Sequence, residues 1–190
     1  GASSYTDAAG NNGSGGSDTV TIDTLNPTVT VNIVDSSLSD SDAASAVSFE
    51  FSENVVGFTS ADVSVSGGTL SNFSTVDGNS YTATFTANGG IDATGSVSVG
   101  TGYTDAVGNT GATGSDNVAI DTQNPTVTVN IVDSSLSDSD TASVITFEFS
   151  ENVVGFTSAD LSASGGTLSN FNTVDGNSYT ATFTANGGID

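Results

Sequence analysis

Hydrophobic and polar residues alternate with a period of two along most of this chain. Val29, Val31 and Ile33 fall on one face of a segment whose other face holds Thr30 and Asn32, and Val47, Phe49 and Phe51 alternate with Ser48 and Glu50. Tyr81, Ala83 and Phe85 are interleaved with Thr82, Thr84 and Thr86; Val97, Val99 and Tyr103 form a further row, and Val118 with Ile120 a last one. Such alternation marks strands with one buried face, because successive side chains point to opposite sides of the pleat. No segment carries a helical spacing. The breaks between rows are rich in Gly, Asn, Asp and Ser, and Asp77-Gly78-Asn79 has the residues of a tight turn. With the less regular stretches around Val63-Ser64-Val65 and from Thr69 to Phe73, the pattern predicts about seven strands in roughly a hundred residues.

The pattern then repeats with a period of 98 residues. Asp23-Thr24-Leu25-Asn26-Pro27-Thr28-Val29-Thr30 returns as Asp121-Thr122-Gln123-Asn124-Pro125-Thr126-Val127-Thr128, and over the 70 residues from Asp23 and from Asp121 only eight positions differ. Tyr5-Thr6-Asp7-Ala8-Ala9-Gly10-Asn11 matches Tyr103-Thr104-Asp105-Ala106-Val107-Gly108-Asn109 in the same frame. One whole repeat at 23–120 is therefore expected between two pieces: 1–22, read as the last two strands of a preceding repeat, and 121–190, read as the first five strands of the next. The chain opens in mid-pattern and reads as a segment of something longer. The only prolines, Pro27 and Pro125, each precede a first strand, where no ladder N–H is needed. Strand number, spacing and repeat length together predict an all-β fold of tandem immunoglobulin-like Greek-key sandwiches.

Composition narrows the chemistry. Among 190 residues there is no Lys, Arg, His, Cys, Met or Trp, and 22 acidic residues set the net charge at -22. Disulfides are excluded, zinc has no thiolate or imidazole, and Ser-His-Asp or Cys-His catalysis lacks its base. A surface without cationic side chains cannot neutralise a nucleic-acid backbone or dock directly on an anionic membrane. Its natural partner is a cation. Apolar runs are only a few residues long, far short of the roughly 20 a spanning helix needs.

The Asp-Thr-x-x-Pro-Thr that opens each repeat, Phe51-Ser52-Glu53-Asn54-Val55, and the Tyr-Thr-Asp-x-x-Gly-Asn of Tyr103 to Asn109 resemble the bacterial Ig-like extender repeats of giant RTX and biofilm-associated adhesins. The resemblance runs the length of the chain. It implies an extracellular array on a bacterial cell surface, stiffened by calcium at its domain junctions, that holds a ligand-binding tip away from the cell.

Strand parity assigns the acidic residues to two poles. Asp23, Glu53, Asp62 and Asp105 with Asn109 are expected at the upstream pole, where the chain comes in, and Asp7 occupies the place of Asp105 one repeat earlier. Asp35, Asp40, Asp42 and Asp92 are expected at the downstream pole beside Asp121; Asp133, Asp138 and Asp140 repeat the first three of these positions, and Glu151 repeats that of Glu53. Two carboxylates about 4 Å apart repel by roughly 4 kcal/mol at an effective dielectric near 20, so such clusters push a junction open until a divalent cation joins them. Calcium, with six to eight oxygen ligands in flexible geometry, fits better than magnesium. The plain alternative is that these Asp and Asn residues shape solvated turns. Asp77 is read as a turn former, and Asp62, after Thr59-Ser60-Ala61, suits a short cap as well as a metal.

The function expected is a structural spacer rather than an enzyme, with neighbouring repeats as its partners. A ligand-binding module for ice or polysaccharide, using the Thr82, Thr84, Thr86 row, is the alternative. Paired-carboxylate glycoside hydrolysis would need a cleft with stacking aromatics, which a thin sandwich does not offer. Because each end piece lacks strands the other carries, head-to-tail self-association by strand complementation is also expected.

Overall fold

A computed structural model describes residues 4–188 of the chain. The chain divides into two units, 1–122 and 123–190. The outermost residues of the two end pieces, 1–3 and 189–190, lie outside the described residues. Among the described residues no helix is long and apolar enough to cross a membrane.

The first unit is a two-layer sandwich of antiparallel sheets with one parallel edge pair. Strands β1 (Val29–Ile33), β3 (Ala44–Phe51), β5 (Gly68–Thr75) and β6 (Ser80–Ala87) form one sheet in the order β1-β3-β6-β5. Strands β2 (Ser37–Ser39), β4 (Val63–Ser66), β7 (Asp92–Val99) and β8 (Gly114–Asp121) form the other, in the order β2-β8-β7-β4. The alternating rows become the inner faces. Val31, Ile33, Val47, Phe49, Phe51, Tyr81, Ala83 and Phe85 meet Val97, Val99, Val118 and Ile120 in one core. Both the fold class and the rows that face inward are as the period-two pattern predicts.

Strand β2 departs from the expectation of a loop between Asp35 and Asp42. Ser37, Leu38 and Ser39 pair in parallel with Ala119, Ile120 and Asp121, and Leu38 is buried. Three residues give too short an alternation to read, and the segment becomes a strand because β8 offers it an edge. The first strand thus crosses from one sheet to the other at 34–36, where the Asp35 N–H donates to Ser45 Oγ at 3.0 Å.

The second unit carries β9 (Val127–Ile131), β10 (Ala142–Phe149), β11 (Gly166–Thr173) and β12 (Ser178–Ala185) in the single sheet β11-β12-β10-β9. These match β1, β3, β5 and β6. Four strands form here instead of the five expected, because 161–164 lies outside any strand, whereas its counterpart β4 pairs with β7. No strand is assigned to residues 4–22, and the stretch that matches the 1–22 piece in the complete repeat holds the last residue of β7 followed by most of β8.

Candidate metal centre at the upstream pole

Three loops meet where the chain enters the first sandwich, and core residues hold each in place. Pro27 is buried just after Asp23. The loop after β3 is pinned by Val55 and Phe58, the latter edge-on to Phe51 at 4.8 Å and to Tyr81 at 4.9 Å. The loop after β7 is pinned by Tyr103, fully buried at 4.8 Å from Phe51, whose hydroxyl donates to the Ala112 carbonyl at 2.6 Å. Backbone bonds then tie the loops together. Val56 N–H donates to Thr104 O at 2.7 Å, Thr104 N–H to Val56 O at 3.1 Å, and Ala112 N–H to Pro27 O at 2.9 Å.

This scaffold brings Asp23, Glu53 and Asp105 together, each offering a carboxylate oxygen within 4.8 Å of the others. Asp105 is the buried and most organised member. Its Oδ1 accepts the N–H groups of Val107, Gly108 and Asn109 at 2.9, 2.7 and 2.8 Å, and Oδ2 accepts Asn109 Nδ2 at 2.7 Å. The loop closes this tightly because Gly108 sits at φ +97°, in the region that favours glycine. Burial pushes the Asp105 carboxyl up, but the hydrogen bonds from Asn109, Val107 and Gly108 outweigh it and hold the group below its usual value. Glu53 moves the opposite way. Burial first, then the charges of Asp23 and Asp105, raise its carboxyl above the usual range. Asn109 also reaches the incoming chain, donating from Nδ2 to the Asp23 carbonyl at 3.2 Å, and the Asp23 side chain accepts Leu25 N–H at 3.2 Å.

The donor set fits a hard divalent ion. Calcium takes oxygen ligands at about 2.3–2.6 Å, so oxygens on either side of one ion stand up to about 5 Å apart. The chain has no cationic side chain to neutralise the cluster instead.

The other acidic residues are placed differently. Asp7 repeats the Asp105 loop, accepting Ala9 and Asn11 N–H groups at 2.9 Å and Asn11 Nδ2 at 2.8 Å, bonds that hold its carboxyl low. Asp62 caps the short 3-10 turn Ser60–Asp62, its Oδ2 accepting from Thr59 N–H at 2.9 Å and Thr59 Oγ1 at 3.0 Å. Asp92 and Asp121 are direct cross-strand partners in β7 and β8, a like-charge pair that weakens the ladder unless screened. Asp40 and Asp42 shape the turn after β2, where Ser39 and Asp42 pair, while Asp35 lies back at the sheet crossing. Among the described residues no three of Asp35, Asp40, Asp42 and Asp92 converge as the upstream trio does. In the second unit Asp140 pairs with Ser137 as Asp42 does with Ser39, and Asp133 N–H donates to Ser143 Oγ at 2.9 Å. Asp138 is exposed and Glu151 half-buried. Asp121 belongs to the first unit and Glu151 to the second.

One residue went unnoticed in the sequence. Thr122 is buried, its hydroxyl donating to Asn88 O at 2.8 Å while accepting Ile91 N–H at 3.1 Å, which clamps the outgoing chain to the loop after β6. In a chain so rich in threonine nothing distinguishes it. The Thr82, Thr84, Thr86 row lies on the outer face of β6, where Thr84 is tied to Asn72 Nδ2 at 3.3 Å.

The family model for the bacterial Ig-like domain matches residues 23–120 and again 121–190. The chain belongs to the bacterial Ig-like domain family. Its boundaries coincide with the 98-residue frame, so each match opens on the Asp-Thr-x-x-Pro-Thr of an Ig-like repeat. Among solved structures, the chain is similar to invasin, described as a bacterial integrin-binding protein, with 17% identity, a TM-score of 0.40, and coverage of 83% of this chain and 34% of that one. It is also similar to the Yersinia pseudotuberculosis adhesin InvE, with 18% identity, a TM-score of 0.35, and coverage of 86% and 52%. InvD of the same organism aligns with 23% identity, a TM-score of 0.35, and coverage of 86% and 50%. The chain thus spans about a third to a half of these proteins. No curated protein sequence matches it.

Proposed function

We propose that these Ig-like repeats form the extender region of a bacterial cell-surface adhesin, a structural spacer whose upstream poles bind calcium. The convergence of Asp23, Glu53 and Asp105 within 4.8 Å carries the reading. Asp23 is the residue at which the polypeptide enters the sandwich, so an ion held there restrains the linker from the preceding repeat as well as the two loops. Strands of eight residues rise roughly 26 Å, giving each repeat a reach of a few nanometres. Near-identity between repeats suits a part that supplies length. Extracellular calcium modules commonly bind at about 10⁻⁴–10⁻³ M, so the site would fill once the protein is outside the cell. The acidic surface keeps the protein from nucleic acid and membrane alike, and the ligand is gripped elsewhere in the parent protein.

The test is a thermal melt in chelator, in millimolar calcium and in millimolar magnesium at one ionic strength. The expected outcome is a rise in melting temperature with calcium that magnesium does not reproduce. Identical curves in calcium and chelator would refute the metal-dependent part of the reading.

A further inference from the structure

Three asparagines are followed by glycine: Asn12, Asn88 and Asn186. Such a pair is prone to deamidation, because a glycine carries no Cβ to hinder its own amide nitrogen from closing on the preceding side chain. Asn12 is restrained, since the Gly13 N–H donates to Tyr5 O at 2.8 Å. Asn88 is not. It is exposed in the loop between β6 and β7, and among the described residues no hydrogen bond engages its side-chain amide or the Gly89 N–H. Asn72, Asn79 and Asn109 are tied down by comparison. Their Nδ2 groups donate to Thr84 Oγ1 at 3.3 Å, to the Phe51 carbonyl at 3.2 Å and to Asp105 Oδ2 at 2.7 Å.

The same loop carries the clamp on the outgoing chain. The Asn88 carbonyl accepts the Thr122 hydroxyl at 2.8 Å, and that hydroxyl accepts the Ile91 N–H at 3.1 Å. The Gly90 N–H donates to Thr122 O at 3.0 Å, and the Thr122 N–H returns to Ile91 O at 2.8 Å. Gly90 makes this turn possible by taking φ +72°. Thr122 is buried, so its partners must come from the loop itself. The backbone between Asn88 and Ile91 thus has one length that satisfies all of these bonds.

We propose that Asn88 is a self-modification site whose conversion to isoaspartate releases the Thr122 clamp. The Gly89 nitrogen attacks Asn88 Cγ, the Cγ–Nδ2 bond breaks, and Nδ2 leaves as ammonia with the proton given up by Gly89. Water then opens the cyclic imide. Opening at Cγ gives aspartate and restores the backbone. Opening at the main-chain carbonyl carbon routes the peptide bond through Cγ, inserts a methylene into the loop, and turns the carbonyl that served Thr122 into a free carboxylate. Both products make a chain of charge -22 more acidic, but only isoaspartate changes the length of the loop. The site shares no residue with the proposed calcium cluster, and its chemistry needs no metal.

Incubation of the whole chain at mildly alkaline pH, read by fragment mass spectrometry, tests the chemistry. Asn88 should exchange NH2 for OH at about ten times the rate of Asn72, Asn79 or Asn109, or faster, with isoaspartate among its products. Gly89→Ala is the diagnostic variant. A Cβ at Gly89 meets nothing within 4 Å, and its φ lies outside the left-handed region, so the fold is kept while the attack is hindered. Reaction at Asn88 should slow by a similar factor. Hydrogen exchange on the separated isoaspartate form tests the consequence. The Gly90 and Thr122 amides should lose protection there and keep it in Asn88→Asp, which carries the charge without the added methylene. The proposal is overturned if Asn88 reacts no faster than Asn79, if Gly89→Ala reacts like the parent, or if aspartate is the sole product. It is equally overturned by an isoaspartate form whose Gly90 and Thr122 amides stay protected.

Discussion

Glu53 and Asp105 sit in one cluster and yet lean in opposite directions. Asp105 is charged at little cost because four hydrogen bonds were built for its anion, whereas Glu53 has none to offset burial and two negative neighbours. Without metal, Glu53→Gln should therefore stabilise the protein at neutral pH, and with calcium the same change should shrink the stabilisation the ion confers. Denaturant unfolding of both proteins in chelator and in calcium checks this reversal of sign, which a simple turn residue would not produce. The pH dependence follows from the same shifts. Glu53 titrates above its usual 4.5 in the folded state, so its penalty is full at neutral pH and lifts as pH falls towards 4.5. Asp105 titrates below its usual 3.8, so its contribution is present above 3.8 and is lost as pH falls further. The melting temperature of the metal-free protein should rise on mild acidification and then fall below pH 3.8, as calorimetry across a pH series would report.

Strands β2 and β4 form in the first unit and their counterparts do not in the second, although the segments from Asp35 to Asp42 and from Asp133 to Asp140 are identical. Leu38 is buried beside Ile120, while among the described residues no strand pairs with Leu136. Leu38→Ala should accordingly cost about 2–4 kcal/mol in unfolding free energy, and Leu136→Ala less than about 1 kcal/mol. Hydrogen exchange supplies the parallel measurement, with 37–39 protected and 135–137 exchanging early. These elements also mark the limit of legibility. The long rows were readable because eight residues of alternation cannot be mistaken, whereas Ser37-Leu38-Ser39 holds one apolar residue and takes its strand identity from β8. The capping role of Asp62 was readable for the converse reason, since Thr59 and Asp62 make their bonds within four residues of each other.

At the scale of the molecule, a net charge of -22 with no cation must be balanced by the solvent. Salt shortens the screening length from about 10 Å at 0.1 M to about 3 Å at 1 M, so raising sodium chloride in chelator should raise the melting temperature. Calcium at fixed ionic strength should raise it further, because an ion among carboxylate oxygens within 4.8 Å of one another acts inside the distance that a salt cloud screens well. If sodium chloride of equal ionic strength matched calcium, the acidity would be a general adaptation to salt rather than a set of sites.

The sequence by itself determined the all-β class, the 98-residue frame and the inward rows. Each follows from periodicity, which is read directly along the chain. Tertiary structure decided which carboxylates converge. Asp23, Glu53 and Asp105 are separated by up to 82 residues, and they meet because Pro27, Phe58 and Tyr103 fix three loops on one aromatic core. It also decided that identical segments become strand in one unit and not in the other. A strand needs a partner for its N–H and C=O groups, and no sequence of three residues can state where that partner will be.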